Sequence, residues 1–280
     1  MKRYFLFALF LAGTSWASLI LLAPPKLNSG CVGPLCGLVV AGLQEDFDAA
    51  YATGSGAAPA CSSTTWIDVS GNARNATTNG YSGCVSDTTG FQGAGTTSNP
   101  FTFIAQSGAC TSSSGHIITS PTFNATNAVT AQMWVKTLLT CTIEYAFNFG
   151  NSLNFFIDEN LFNGHSMGFF ATGGMSGLTE TNANTSLSLN TWHNIAVTYS
   201  SVSGATFYID GTITPVVGGQ NILGAIPSYS TIGVLARNDM AWTIPGGVSQ
   251  ILMYDTVLTS ADIKTNCQAG VSRFSGAVCN

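Results

Sequence analysis

Residues 190–213 read Asn190-Thr191-Trp192-His193-Asn194-Ile195-Ala196-Val197-Thr198-Tyr199-Ser200-Ser201-Val202-Ser203-Gly204-Ala205-Thr206-Phe207-Tyr208-Ile209-Asp210-Gly211-Thr212-Ile213. Within them Ile195, Val197 and Tyr199 alternate with Asn194, Ala196 and Thr198. That is the two-residue period of a strand with one apolar face. A second β-rich run follows, and it ends in Asp210-Gly211 before Thr212-Ile213. Asp-Gly between such arms predicts a tight hairpin, because the turn needs positive φ. A strand with one apolar face must bury that face against a second layer, and where strands of this kind recur along the chain the second layer is another sheet.

Outward from this stretch the same signals repeat. Further strands are predicted at 101–105, 129–137, 155–158, 167–172, 231–235 and 249–255, with Gly/Ser/Thr/Asn clusters between them. One helix is predicted, beginning at Thr259-Ser260-Ala261-Asp262 and running to about Cys267. The Thr259 hydroxyl suits the first free amides and Asp262 suits the positive helix end. A single carboxy-terminal helix after many strands excludes an alternating βαβ nucleotide fold.

Composition narrows the partners. Of 280 residues only 8% are charged, with 8 Lys+Arg against 13 Asp+Glu and a net charge of −5. Ordinary domains carry ~25% charge. Hydrophobic residues are 45% and aromatics 11%, so the chain has a core and is not a disordered one. Scarce Lys and Arg argue against nucleic acid and against a polybasic membrane patch.

The amino terminus opens with Met1-Lys2-Arg3, then runs uncharged from Tyr4 to Ala23. This predicts a signal peptide over 1–17 with Ser15 and Ala17 at the cleavage site, or an uncleaved signal-anchor over 4–23. A lipidated Cys31 after Ser29-Gly30 is a third reading. All three put the body of the protein outside the cytoplasm: secreted, extracellular or at the cell surface. A linker or cap is expected over 18–40 and one domain over 41–280. Membrane contact is expected only through the amino-terminal segment, if it is retained.

Eight cysteines outside the cytoplasm predict disulfides. Pairing neighbours that bracket turn-rich stretches joins Cys31 to Cys36, Cys61 to Cys84, Cys110 to Cys141 and Cys267 to Cys279. Sequence alone leaves on the order of a hundred connectivities open.

Four segments resemble the laminin-G-like, concanavalin-A-like jelly rolls. Trp192 to Tyr199 with Phe207 to Gly211 is similar to the family's Trp-opened strand and its "fYiDG" hairpin. Ile251-Leu252-Met253-Tyr254-Asp255-Thr256-Val257-Leu258-Thr259-Ser260-Ala261-Asp262-Ile263 is similar to its closing strand and helix. Trp66-Ile67-Asp68-Val69-Ser70-Gly71-Asn72 resembles its entry motif, and Ala131-Gln132-Met133-Trp134-Val135-Lys136 a core strand. They stand in family order over about residues 40–268. The resemblance implies an all-β fold of two antiparallel sheets, a jelly-roll β-sandwich with one short carboxy-terminal helix.

Each of these residues also has a plain structural role. Trp192 reads as a packing residue, Asp210 as a turn residue, and Asp68 with Ser70 and Asn72 as a loop fastened to the backbone. The paired-glutamate strand of the family's glucanases is not found in this sequence, and there is no zinc spacing, P-loop or G-x-S-x-G elbow. The richest oxygen cluster is Asp158-Glu159-Asn160 with Asn163 and His165, flanked by Phe155, Phe156, Phe162, Phe169 and Phe170. Aromatics beside carboxylates and amides suit a sugar. Asp158, with Asp239 as a second position, also suits Ca²⁺, a hard cation that takes oxygen ligands.

The function expected from these residues is non-catalytic binding of a glycan or of a surface or matrix polymer, with Ca²⁺ as its one candidate cofactor. Two alternatives stay open. One is a glycoside hydrolase or lyase on the same fold, and the other is a structural surface or fibre component that associates with itself.

Overall fold

The computed structural model describes residues 33–53, 60, 63–79, 90–106, 117–120, 123, 125–138, 144–149, 153–158, 166–171, 180–217, 223–226, 229, 232–234 and 244–280. In chain order the strands are β1 (Leu43–Asp48), β2 (Thr65–Trp66), β3 (Ala76–Asn79), β4 (Gly90–Gln92), β5 (Thr102–Gln106), β6 (Ile117–Ser120), β7 (Ala128–Thr137), β8 (Glu144–Phe149) and β9 (Leu153–Asp158). They continue with β10 (Ser166–Ala171), β11 (Glu180–Ser186), β12 (Trp192–Ser200), β13 (Gly204–Ile209), β14 (Thr212–Thr214), β15 (Val216–Val217), β16 (Ile232–Val234) and β17 (Gly246–Tyr254). One helix, α1 (Ser260–Gly270), follows β17.

The described strands form two antiparallel sheets. One runs β14-β13-β12-β7-β17-β5-β4, with β1 also paired to β17. The other runs β15-β11-β10-β9-β8-β16-β6-β3-β2. Their inner faces share one core, as one-sided strands require. Phe155 of the second sheet stacks on Phe207 of the first, ring centroids 5.9 Å apart. Trp66, fully buried, meets Phe47, Phe91 and Phe103 from across the interface.

The opening stretch folds as its pattern dictates. Ile195, Val197 and Tyr199 point into the core together with Phe207 and Ile209. Asp210 and Gly211 adopt φ of +53° and +80°, the positive values of a two-residue hairpin that pairs Ile209 with Thr212.

The first sheet is covered on its outer face as well. Leu43, Ala196, Tyr208, Leu252 and Tyr254 point outward and pack under Leu258 and Ile263, with Leu35, Leu38 and Val39 against them. This is why β17 is buried along its whole length instead of alternating. Polar residues on that face are answered there. Gln132 Nε2 donates to Asn194 Oδ1 (2.7 Å) and to the Ile263 carbonyl (3.0 Å). Asn266 Nδ2 donates to Gln132 Oε1 (3.0 Å) and to the Tyr254 hydroxyl (2.9 Å), and Asn266 Oδ1 accepts from the Val39 amide (2.8 Å).

Helix α1 starts at the cap read from the sequence. The Asp262 amide donates to Thr259 Oγ1 (3.2 Å) and the Thr259 amide to Asp262 Oδ2 (3.0 Å), which is a capping box. It runs to Gly270, about one turn further than expected, and Gly270 lies against Trp134, where a Cβ would collide with the indole Nε1. Phe274 then lies against both Trp134 and Trp192, centroids 4.6 Å from each. A disulfide joins Cys267 to Cys279 with Cα atoms 5.9 Å apart, holding this tail to the helix. Cys36 is also in a disulfide. Cys31, Cys61, Cys84, Cys110 and Cys141 lie outside the described residues.

Candidate functional site

Of the residues singled out in the sequence, Glu159, Asn160, Asn163, His165 and Asp239 lie outside the described residues. Asp158 ends β9, where its backbone pairs with Ser166 at the start of β10. The stretch 159–165 therefore connects two adjacent antiparallel strands. Phe155, counted among the flanking aromatics, is a core residue 1% exposed and stacks on Phe147 as well as Phe207. Among the described residues, no group of three His, Cys, Asp or Glu is arranged to hold a metal ion.

The Trp66 to Asn72 segment is structural, as its side chains suggest. Asp68 Oδ1 accepts from the amides of Asp46 (3.0 Å) and Ser70 (2.9 Å), and Oδ2 from the Arg74 amide (2.9 Å). Asn72 Nδ2 donates to the Leu43 carbonyl (3.0 Å), so the loop is fastened to β1. Trp192 is 6% exposed, with Lys136 Nζ 5.6 Å from its ring centroid. It is a packing residue.

A cleft of about 430 Å³ opens beside β1. It lies within the ~300–1,000 Å³ typical of small-ligand sites. Residues from five separate segments line it, among them Tyr51, Thr97, Phe101, Gln250, Ser272 and Arg273. Its floor is held rigidly. Arg273 Nη1 and Nη2 donate to Asp48 Oδ2 (2.8 Å) and Oδ1 (2.7 Å), the two-pronged geometry that a guanidinium and a carboxylate share. Asp48 Oδ1 also accepts from the Ala50 amide (2.8 Å), which caps the 3-10 turn carrying Tyr51. Arg273 Nη2 further donates to Ser249 Oγ (3.0 Å), whose hydroxyl donates to the Phe101 carbonyl (2.7 Å). One network thus holds the backbone beside both aromatic residues of the cleft.

Behind this floor lies Asp46, fully buried. Its Oδ1 accepts from Gln250 Nε2 (3.2 Å), and among the described residues its Oδ2 has no hydrogen-bond partner. Burial, with repulsion from Asp48 next, pushes this carboxyl well above the usual range against the pull of Gln250 and Arg273. The sequence held one signal of the cleft: Arg273 is among only 8 Lys+Arg, just beyond the capped helix. Tyr51, Thr97, Phe101 and Gln250 meet only through tertiary packing.

The sheets, their shared core and the edge cleft define a lectin-like antiparallel β-sandwich. The chain belongs to the Laminin_G_3 family of the concanavalin A-like lectin/glucanases superfamily, whose model matches residues 111–264. No curated protein sequence matches it. Among solved structures it is similar to a Trypanosoma rangeli sialidase complexed with a difluorinated nonulosonic acid, with a TM-score of 0.53 and 14% identity over 90% of this chain and 36% of that one. It is also similar to botulinum neurotoxin type C, described as depending on two ganglioside molecules for cell entry (TM-score 0.52, 14% identity, 83% of this chain and 51% of that one). A third is domain 4 of an extracellular GH43 arabinanase from Geobacillus stearothermophilus in complex with arabinotriose, with a TM-score of 0.52 and 13% identity over 80% of this chain and 97% of that one. The chain thus spans about a third of the sialidase and half of the neurotoxin chain. At these identities the likeness is one of fold, which enzymes and binding domains share.

Proposed function

We propose that this domain is exported and binds a glycan without cleaving its backbone. The cleft carries the reading. Tyr51 and Phe101 offer apolar surface for a sugar face, and Thr97, Ser272, Gln250 and the Asp48–Arg273 pair offer hydroxyl partners around it. Two solved structures of like fold are described with carbohydrate, a ganglioside pair and arabinotriose, which supports the ligand class. Export rests on Met1-Lys2-Arg3 and the uncharged run behind it. Protein recovered from the medium is expected to begin near Ser18.

A glycan array, read with and without a calcium chelator, tests the reading. Tyr51→Ala with Thr97→Arg is expected to weaken the best hit at least tenfold while the fold is retained. Asp158→Ala with Glu159→Ala is the control at the β9–β10 connection. Loss only in that second variant moves the site there and overturns the cleft. Release of shorter sugars from a bound polysaccharide overturns the non-cleaving reading.

A further inference from the structure

We propose that Ser188, His193 and Asp210 form an acyl-transfer site that acts on small carboxylic esters. None of the three lines the cleft, so this proposal stands apart from glycan binding there. Ser188 Oγ lies 2.8 Å from His193 Nε2, and His193 Nδ1 lies 2.9 Å from Asp210 Oδ2. A nucleophile within reach of a base, and a base oriented by a third group, is the arrangement that activates a serine.

The proton positions follow from the partners. The Asp210 carboxylate accepts only, so Nδ1 carries the proton and Nε2 presents its lone pair to Ser188. Nε2 also accepts from the Ser188 amide at 3.2 Å, which fixes the serine over the ring. Asp210 is itself held: its Oδ1 accepts from the Asn194 amide (2.9 Å) and its carbonyl from the Asn280 amide (2.8 Å). The Asp210-Gly211 turn therefore aims a carboxylate as well as reversing the chain.

The serine is pre-positioned yet open. Leu187 is buried on one side and Trp192 on the other, and the Asn190 amide donates to the Thr137 carbonyl at 2.8 Å. Ser188 between them is exposed, while His193 and Asp210 side chains are only 13% and 9% exposed. A base shielded from water beside an accessible hydroxyl suits attack on a group presented from outside.

In the first half-reaction Ser188 Oγ bonds to the ester carbonyl carbon as its proton passes to His193 Nε2. The alkoxide leaves and takes that proton, and Ser188 is left acylated. Water then attacks the acyl carbon and gives a proton to Nε2. Ser188 Oγ departs, recovers the proton, and the carboxylic acid is released. Ser188 and His193 are the catalytic residues and Asp210 is a positioning residue.

The test uses the full chain with a fluorophosphonate probe and with p-nitrophenyl acetate, read by peptide mapping. Label and acetyl are expected on Ser188 and are lost in Ser188→Ala, an exposed change that leaves the fold intact. His193→Gln and Asp210→Asn are expected to slow labelling at least ~100-fold, in the range of general-base catalysis. Circular dichroism confirms that each variant is folded. Wild-type labelling no faster than that of Ser188→Ala overturns the proposal, and so does labelling unchanged in His193→Gln.

Discussion

Asp46 shows how one residue's chemistry depends on where it is buried. In an unfolded chain its carboxyl titrates near ~3.9. In the fold, desolvation and Asp48 keep it protonated to higher pH. Between those two values the native state binds more protons than the unfolded one. This contribution to stability is therefore full below about pH 4 and is lost as pH rises through the folded value. Asp46→Asn keeps an acceptor for Gln250 and removes the titration. Denaturant unfolding at a series of pH values should show a flatter profile for this variant and greater stability at neutral pH. The wild-type excess slope should not exceed ~1.4 kcal/mol per pH unit from this one group. Identical slopes in the two proteins would show that Asp46 titrates alike folded and unfolded.

At the scale of elements, the outer layer over the first sheet is the unexpected part. Helix α1 covers that sheet with few apolar side chains, and its seat is polar. Asn266 links Gln132 of β7, Tyr254 of β17 and the Val39 amide at once. Asn266→Ala would remove a partner from each of these groups, but Val39 is only partly buried and the Tyr254 hydroxyl still donates to the Val39 carbonyl, so the cost falls near the low end of ~1–3 kcal/mol each. A loss of about 2–4 kcal/mol is expected in chemical denaturation, with the helix retained because its Thr259–Asp262 cap is untouched. Tyr254 reports the same environment, since burial pushes its phenol above the usual range. Of the strands, β12 was legible from its alternation, and β5, β7, β9, β10, β13, β16 and β17 coincide with β-rich stretches predicted between turn-forming clusters. By contrast β1, Leu43-Gln44-Glu45-Asp46-Phe47-Asp48, was not legible. It carries three acids in six residues and pairs with β17 among the described strands; the Asp68 loop holds the Asp46 amide, Gln250 the Asp46 carboxyl and Arg273 the Asp48 carboxylate. Strand β11, Glu180–Ser186, is polar and was missed for want of an apolar period.

For the molecule as a whole, the carboxy terminus acts as a clamp. The Cys267–Cys279 bridge closes a 12-residue separation and holds Phe274 against Trp134 and Trp192. A loop of this size restricts the unfolded chain by about 3 kcal/mol. The double variant Cys267→Ser, Cys279→Ser should lose ~2–3 kcal/mol in thermal or denaturant unfolding and show altered tryptophan fluorescence. The sandwich should persist, because its inner core is built from other residues. An unchanged melting curve would mean that the tail is held by Phe274 alone.

Local chemistry determined the class of fold. Two-residue periodicity at 194–200, an Asp-Gly turn that needs positive φ, and a hydroxyl-to-carboxylate cap at 259–262 act over a few residues, so they are readable in order. The four laminin-G-like segments extended that reading to the family, since they record the same strands and turns. Tertiary structure alone decided the cleft and the serine site. Tyr51, Phe101, Gln250 and Arg273 are separated by up to most of the chain, and Ser188 meets His193 and Asp210 through a turn and a hairpin. Side chains that converge from different strands leave no period in the sequence, because their spacing is set by sheet order and not by distance along the backbone.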